Sequence, residues 1–298
     1  MRILYLSDHG DRADYLRDCL FHGLRTLLGP DVVDADRLDV MYSDFPANHS
    51  IYGRGFSLYR LLPEIPVDRT DITGKIRTRY FDLVIYGSIH RCQSFLRLVA
   101  DTYDGRSVCA IDGEDHPGYL QGLGMRYFKR ELHHPQPGCH PISFAIPKEK
   151  IRPHPAPKTR IMAPCDPIDR TTYIYTTESA YYQQYAESYY GPTMRKAGFD
   201  CMRHYEILSQ WCIPYFRVLE DLPAPICTTL PRPELNLAKT LIEYWAQDRS
   251  NDRIRALLPA LWESLIDPVM AAVRSRMTTE SLATYVLDTI GVRAKEYA

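Results

Sequence analysis

The chain opens with an apolar run, Arg2-Ile-Leu-Tyr-Leu-Ser7, that stops at the polar loop Asp8-His9-Gly10. Leu16, Cys19, Leu20, Leu24, Leu27 and Leu28 follow at helical spacing, and Gly29-Pro30 ends that segment. A strand without polar alternation is covered on both faces, and the amphipathic helix behind it supplies one cover. Strand, polar loop and helix are the opening of a doubly wound α/β fold. The pattern returns. Residues 81–87 predict a strand, 88–91 a loop and 94–100 a helix. Residues 107–111 predict another strand, running into Asp112-Gly-Glu-Asp-His-Pro-Gly118, with extended segments at 127–132 and 141–146. A mainly parallel sheet follows, and ligands of such sheets bind beyond the carboxyl ends of the strands. The loops 7–10, 87–91 and 112–118 therefore stand out by position.

Residues 147–158 carry four prolines and few apolar side chains, which predicts a linker. Beyond it the pattern predicts a strand at 158–163, an extended piece at 168–175, a tyrosine-rich helix at 179–189, a helix at 201–210 and a strand at 212–216. Helical periodicity then continues at 235–246, 254–265, 268–276 and 281–290. The expected fold is α/β, with two Rossmann-like lobes at 1–150 and 151–298, the second reduced and ending in a helical tail.

Charge narrows the partners. The 298 residues hold 36 Lys+Arg against 37 Asp+Glu, a net charge of −1, which argues against a general polyanion binder. A groove bearing Arg54, Arg60, Arg77 and Arg79 would keep nucleic acid open as a partner. No run approaches the ~18 apolar residues of a membrane helix, and Asp8 and His9 come too early for a secretory signal, so a cytoplasmic protein with no membrane span is expected. The eight cysteines include no C-x-x-C pair and read as buried thiols. His133, His134, Cys139 and His140 lie among Pro135, Pro137 and Pro141 and read as loop ahead of metal site. No G-x-S-x-G, P-loop or G-x-G-x-x-G motif occurs, which disfavours serine hydrolases, P-loop NTPases and typical dinucleotide enzymes.

The most specific stretch is Thr193-Met-Arg-Lys-Ala-Gly-Phe-Asp-Cys-Met-Arg-His-Tyr-Glu-Ile-Leu-Ser-Gln-Trp-Cys-Ile-Pro-Tyr-Phe216. Arg203 and Glu206 are three apart and share a helix face near its start, where an arginine with helix amides can hold a diphosphate and a carboxylate can accept from a ribose diol. The stretch resembles the donor-binding helix of GT-B-fold glycosyltransferases, nearest to exostosin-like and spore-maturation-type sequences. Those carry Arg, two residues, Glu, a helix and Gly-Cys-Ile-Pro; Arg203, Glu206 and Cys212-Ile213-Pro214 match, and Trp211 replaces the glycine. Residues 81–86 and 141–146 also look like such sequences.

The resemblance implies a glycosyltransferase whose N-terminal domain serves the acceptor and whose C-terminal domain binds a UDP- or GDP-sugar, with no metal or other cofactor. Arg203 and Glu206 would hold the donor, with Arg195, Lys196 and His204 beside them. The acceptor stays open: a small molecule, a glycan or a modified nucleic-acid base. Acid–base catalysis would come from a loop of the first domain. Asp115 with His116 is the first choice and Asp8 with His9 the second, His90 being a further candidate; a carboxylate beside a histidine can orient an imidazole. The acids of 112–115 also raise a Mg²⁺ reading, without the usual D-x-D spacing. Gly198 stands where many retaining members carry a second acid, so stereochemistry stays open. So do two alternatives: a non-catalytic nucleotide- or sugar-binding protein, and an α/β phosphosugar enzyme of another class.

Overall fold

A computed structural model describes residues 1–8, 10–247 and 252–291. The chain divides into two compact units, and the division is not a single cut. Met1–Pro147, Pro223–Thr228 and the chain from Thr278 onward form the first; Lys148–Leu222 and Thr229–Met277 form the second.

The first unit is built on β1 (Ile3–Leu6), α1 (Tyr15–Leu28), β2 (Val32–Asp34), α2 (Ile72–Arg77), β3 (Leu83–Tyr86), α3 (Leu96–Thr102), β4 (Val108–Asp112), β5 (Arg126–Lys129) and β6 (Cys139–Pro141). The strands lie in the order β2-β1-β3-β4-β5-β6, all parallel. Both faces are buried, as the unbroken apolar runs require. Leu4, Leu6, Val84, Tyr86, Val108 and Ala110 share one core with Ile76 of α2 and Val99 of α3. Asp14 caps α1, its carboxylate accepting from the Arg17 amide. The direction of strand addition reverses between β1 and β3, the switch point where doubly wound sheets open a crevice.

The second unit has β7 (Arg160–Met162), α4 (Glu178–Ala186), β8 (Ser188–Thr193), α5 (Met202–Ser209) and β9 (Ile213–Phe216), followed by α6 (Arg232–Gln247) and α7 (Asp252–Arg276). Its sheet, in the order β7-β8-β9, is also parallel. Three sequence expectations change here. The tyrosine-rich helix ends at Ala186, and the tyrosines that follow begin β8. Pro192 is tolerated in this central strand because β7 pairs only as far as Tyr190, so no ladder bond on that side needs the missing N–H. Residues 168–175 form a turn with a short 3₁₀ piece, Arg170–Thr172, capped by Asp169. The two helices expected at 254–265 and 268–276 are one, with Pro259 and Pro268 inside it.

Within α7, Ala256–Arg276 is long and apolar enough by length and composition to cross a membrane, with a mean hydropathy of 1.4, although 44% of that stretch is buried in the structure. Leu258, Trp262, Leu265, Ile266, Val269, Met270, Ala272 and Val273 are its buried side chains, at the spacing of a helix face.

The last helix, α8 (Thr279–Thr289), belongs to the first unit. It packs along α1, where Gly23 is required: a Cβ there would stand 1.9 Å from the Thr279 carbonyl oxygen. The Thr279 amide donates to Ile146 at 3.1 Å, and the Tyr285 hydroxyl to Pro141 at 2.7 Å. Residues 142–146, expected as extended, leave the sheet after Ile142, whose amide still donates to the Lys129 carbonyl of β5 at 3.2 Å, and end at Ile146, which bridges to Thr278 just before α8.

Candidate functional site

The carboxyl ends of β3, β4 and β5 in the first unit carry a buried polar cluster centred on Asp112. Its carboxylate meets His90 Nε2 at 2.9 Å, accepts from the Tyr127 hydroxyl at 2.7 Å and from Lys129 Nζ at 2.8 Å, and takes the Glu114 amide at 3.0 Å. Burial raises the carboxyl pKa, but the Lys129 and Tyr127 hydrogen bonds and the Lys129 charge outweigh it and hold Asp112 below the usual carboxylate value. His90, on the loop after β3, remains 24% exposed at the side chain, while Asp112 is fully covered. His116 approaches the His90 ring edge-on, centroids 5.9 Å apart. Arg91 links this loop to Asp14 at 3.1 Å and to Glu114 at 3.3 Å.

The structure therefore pairs the predicted residues differently. Asp115 forms an ion pair with the buried Arg130, which also donates to Glu131 and to the Gly113 carbonyl and lies over the Phe144 ring. Among the described residues no carboxylate hydrogen-bonds to His116, so Asp115–His116 is not a dyad. The Asp8 carbonyl is anchored by Arg17 at 2.8 Å, and His9 lies outside the described residues. No group of three or more His, Cys, Asp or Glu side chains able to hold a metal occurs among the described residues. The acids of 112–115 are instead engaged with Lys129, Tyr127, Arg91 and Arg130. His133 and His140 also part company: His133 lies 3.8 Å from Glu131, and the His140 ring stacks near Phe128. Arg60 is occupied by the carbonyls of Phe45, Pro46 and His49 and contributes no open basic groove.

In the second unit α5 starts beyond the carboxyl end of β8, so its first turns face the ligand-binding edge of a parallel sheet. Glu206 accepts from the Tyr181 hydroxyl at 2.8 Å. Arg203 donates to the Tyr173 hydroxyl at 2.6 Å and stands 5.2 Å from that ring's centre, with Lys196 Nζ 5.0 Å from the same centre. Arg195 lies over Phe199 at 4.3 Å. Arg203, Lys196 and Glu206 are thus gathered around two phenols, whereas His204 is not part of the group. Its buried ring meets the Thr193 hydroxyl with Nδ1 at 2.8 Å and the Phe199 carbonyl with Nε2 at 2.9 Å, so both nitrogens are spent on folding the loop before α5.

The turn from α5 into β9 passes through Trp211, which has φ +58°. That left-handed region favours glycine, the residue at the matching position of the sequences the stretch resembles. Trp211 is held there by its indole N–H on the Arg152 carbonyl at 2.7 Å, by Lys158 Nζ on its own carbonyl at 2.7 Å and by the Arg274 guanidinium over its ring. No family of known proteins, no curated protein and no solved structure matches the chain.

The sequence reading missed Lys129 and Tyr127, which sit in the charged run Tyr127-Phe-Lys-Arg-Glu-Leu132. The available signal was positional: alternate residues of a strand share a face, so Tyr127 and Lys129 project together beside Asp112 on the neighbouring strand.

Proposed function

We propose that this protein is a glycosyltransferase of GT-B type that moves a sugar from a nucleotide-sugar donor to an acceptor hydroxyl, its second unit holding the donor through Arg203 and Glu206. The carrying observation is the state of those two side chains. The Tyr173 phenol oxygen accepts from Arg203 as a phosphate oxygen would, and the Tyr181 phenol donates to Glu206 as a ribose hydroxyl would. Arg203 sits in the first turn of a helix beyond a parallel strand, where amide groups favour an anion, and Glu206 follows three residues on along the same helix. Arg195 and Lys196 add positive charge on the same loop. The left-handed turn at Trp211, at the family's glycine position, supports the same reading from backbone geometry.

Calorimetry with UDP, GDP and their hexose conjugates tests this. Glu206→Ala is expected to weaken diphosphate binding by about 1–3 kcal/mol, the value of a hydrogen bond to a charged group. Arg203→Ala acts through the diphosphate, so a free nucleoside feels it less. Unchanged diphosphate binding in both folded variants would overturn the reading.

A further inference from the structure

We infer that Tyr173 is an internal competitor of the donor's diphosphate: the loop 163–177, between β7 and α4, ties its tip to Arg203, and a nucleotide gains that arginine only as the tie is released. The inference rests on the donor reading of Arg203, and every residue in it belongs to Lys148–Leu222 of the second unit.

The starting point is a charge without a partner. Arg17, Arg25 and Arg130 are buried, and each has a carboxylate, Asp18 at 2.7 Å, Asp34 at 2.8 Å and Glu131 at 2.8 Å. Arg203 has no carboxylate at ion-pair distance among the described residues. Its hydrogen bond goes to the Tyr173 hydroxyl at 2.6 Å, and its Nε is shut off from solvent with no partner. Arg195 and Lys196 lie against the Phe199 and Tyr173 rings and likewise make no ion pair among the described residues. A guanidinium removed from water without a counter-charge is costly, and an anion relieves the cost. The phenol relieves it poorly, because it offers one oxygen and no charge. A diphosphate offers several oxygens and the charge, and takes the guanidinium fork bidentately.

The loop is built to give way as one piece. Asp169 accepts from the Thr171 amide at 2.9 Å, and the Asp166 amide donates to the Thr172 hydroxyl at 2.9 Å, so the loop's shape is internal to it. Its base is fixed by the Cys165 amide on Gln184 Oε1 at 2.9 Å and by Arg217 on Asp166 at 2.8 Å. Among the described residues its only hydrogen bond to α5 is the one from Arg203, and Ile174, next to Tyr173, is 69% exposed. The apparent affinity for a donor is then the intrinsic affinity multiplied by the fraction of molecules in which Tyr173 has left Arg203.

The test is calorimetry on the full chain with UDP, GDP and inorganic pyrophosphate, the last separating the anion site from the nucleoside. Tyr173→Phe removes only the phenol oxygen and is expected to tighten all three roughly 2–10-fold, the worth of one net hydrogen bond. Tyr173→Ala also removes the ring beside Arg203 and Lys196, and is expected to tighten pyrophosphate at least as much. A phenol that merely braces the loop, or that touches the bound nucleotide, gives no such gain. Nucleotide binding by the unaltered protein that is unchanged or weaker in both variants overturns the inference and spares the donor reading. Pyrophosphate that binds more tightly in the variants, while UDP and GDP bind no better than pyrophosphate, supports the competition and overturns the donor reading. No binding of any of the three ligands to the unaltered protein or to either variant overturns both.

Discussion

Asp112 and Lys129 are register partners on the adjacent parallel strands β4 and β5, and their side chains pair at 2.8 Å with neither exposed to solvent. Strand register alone brings them together. A buried pair of this kind adds little net stability when made, but breaking it leaves an uncompensated charge.

Lys129→Met is therefore expected to destabilise the protein by about 3–5 kcal/mol at pH 7, the usual cost of removing one buried partner. The folded carboxyl of Asp112 titrates below its ordinary value of roughly 3.9. Its stabilising contribution is complete above that value and is lost as pH falls through the lower folded one. Urea titrations at pH 7 and pH 3 should show the gap between parent and variant narrowing in acid.

Gly23→Ala pits helix propensity against space. Alanine gains about 1 kcal/mol over glycine in a helix interior. Here its methyl would meet the Thr279 carbonyl at 1.9 Å, and both partners are helix backbone. Overpacking of this kind costs roughly 1–3 kcal/mol, so a net loss is expected, read as a lower Tm.

His204 and Glu206 lie two residues apart and separate folding from binding. His204→Ala breaks one buried and one partly buried hydrogen bond and is expected to cost about 1–3 kcal/mol of stability with nucleotide affinity unchanged. Glu206→Ala is expected to do the reverse. Paired denaturation and calorimetry on the two variants check the division.

At Trp211 two magnitudes oppose each other. Glycine would relieve a left-handed backbone worth roughly 1–2 kcal/mol. It would also delete an indole that is buried, hydrogen-bonded to Arg152 and covered by Arg274, for which truncation typically costs about 3–5 kcal/mol. Trp211→Gly should therefore lower stability by chemical denaturation. A more stable variant would show that strain dominates.

Much of the scaffold was legible because β1, β3 and β4 are unbroken apolar runs and α1 and α5 have helical spacing. β2 has only three residues and directly follows a 3₁₀ turn, too short for any periodicity. β8 was hidden because tyrosine suits both the end of α4 and a strand. At the site, the polar loops were legible by position and the pairings were not. Asp115 next to His116 in sequence resembled a dyad, while the imidazole that faces a carboxylate is His90, brought to Asp112 by a neighbouring strand. Lys129 was not singled out because burial of a lysine depends on a partner that local pattern does not reveal.

The return of α8 to the first unit has a consequence for synthesis on the ribosome. The first unit's strands are complete by Pro147, yet the helix that covers α1 and clasps residues 141–146 begins only at Thr279, after the whole of the second unit. At ordinary translation rates that interval lasts on the order of ten seconds. Throughout it the nascent chain presents the side of α1 bearing His22 and Gly23 without its partner, a window in which chaperones and unwanted self-association compete with folding.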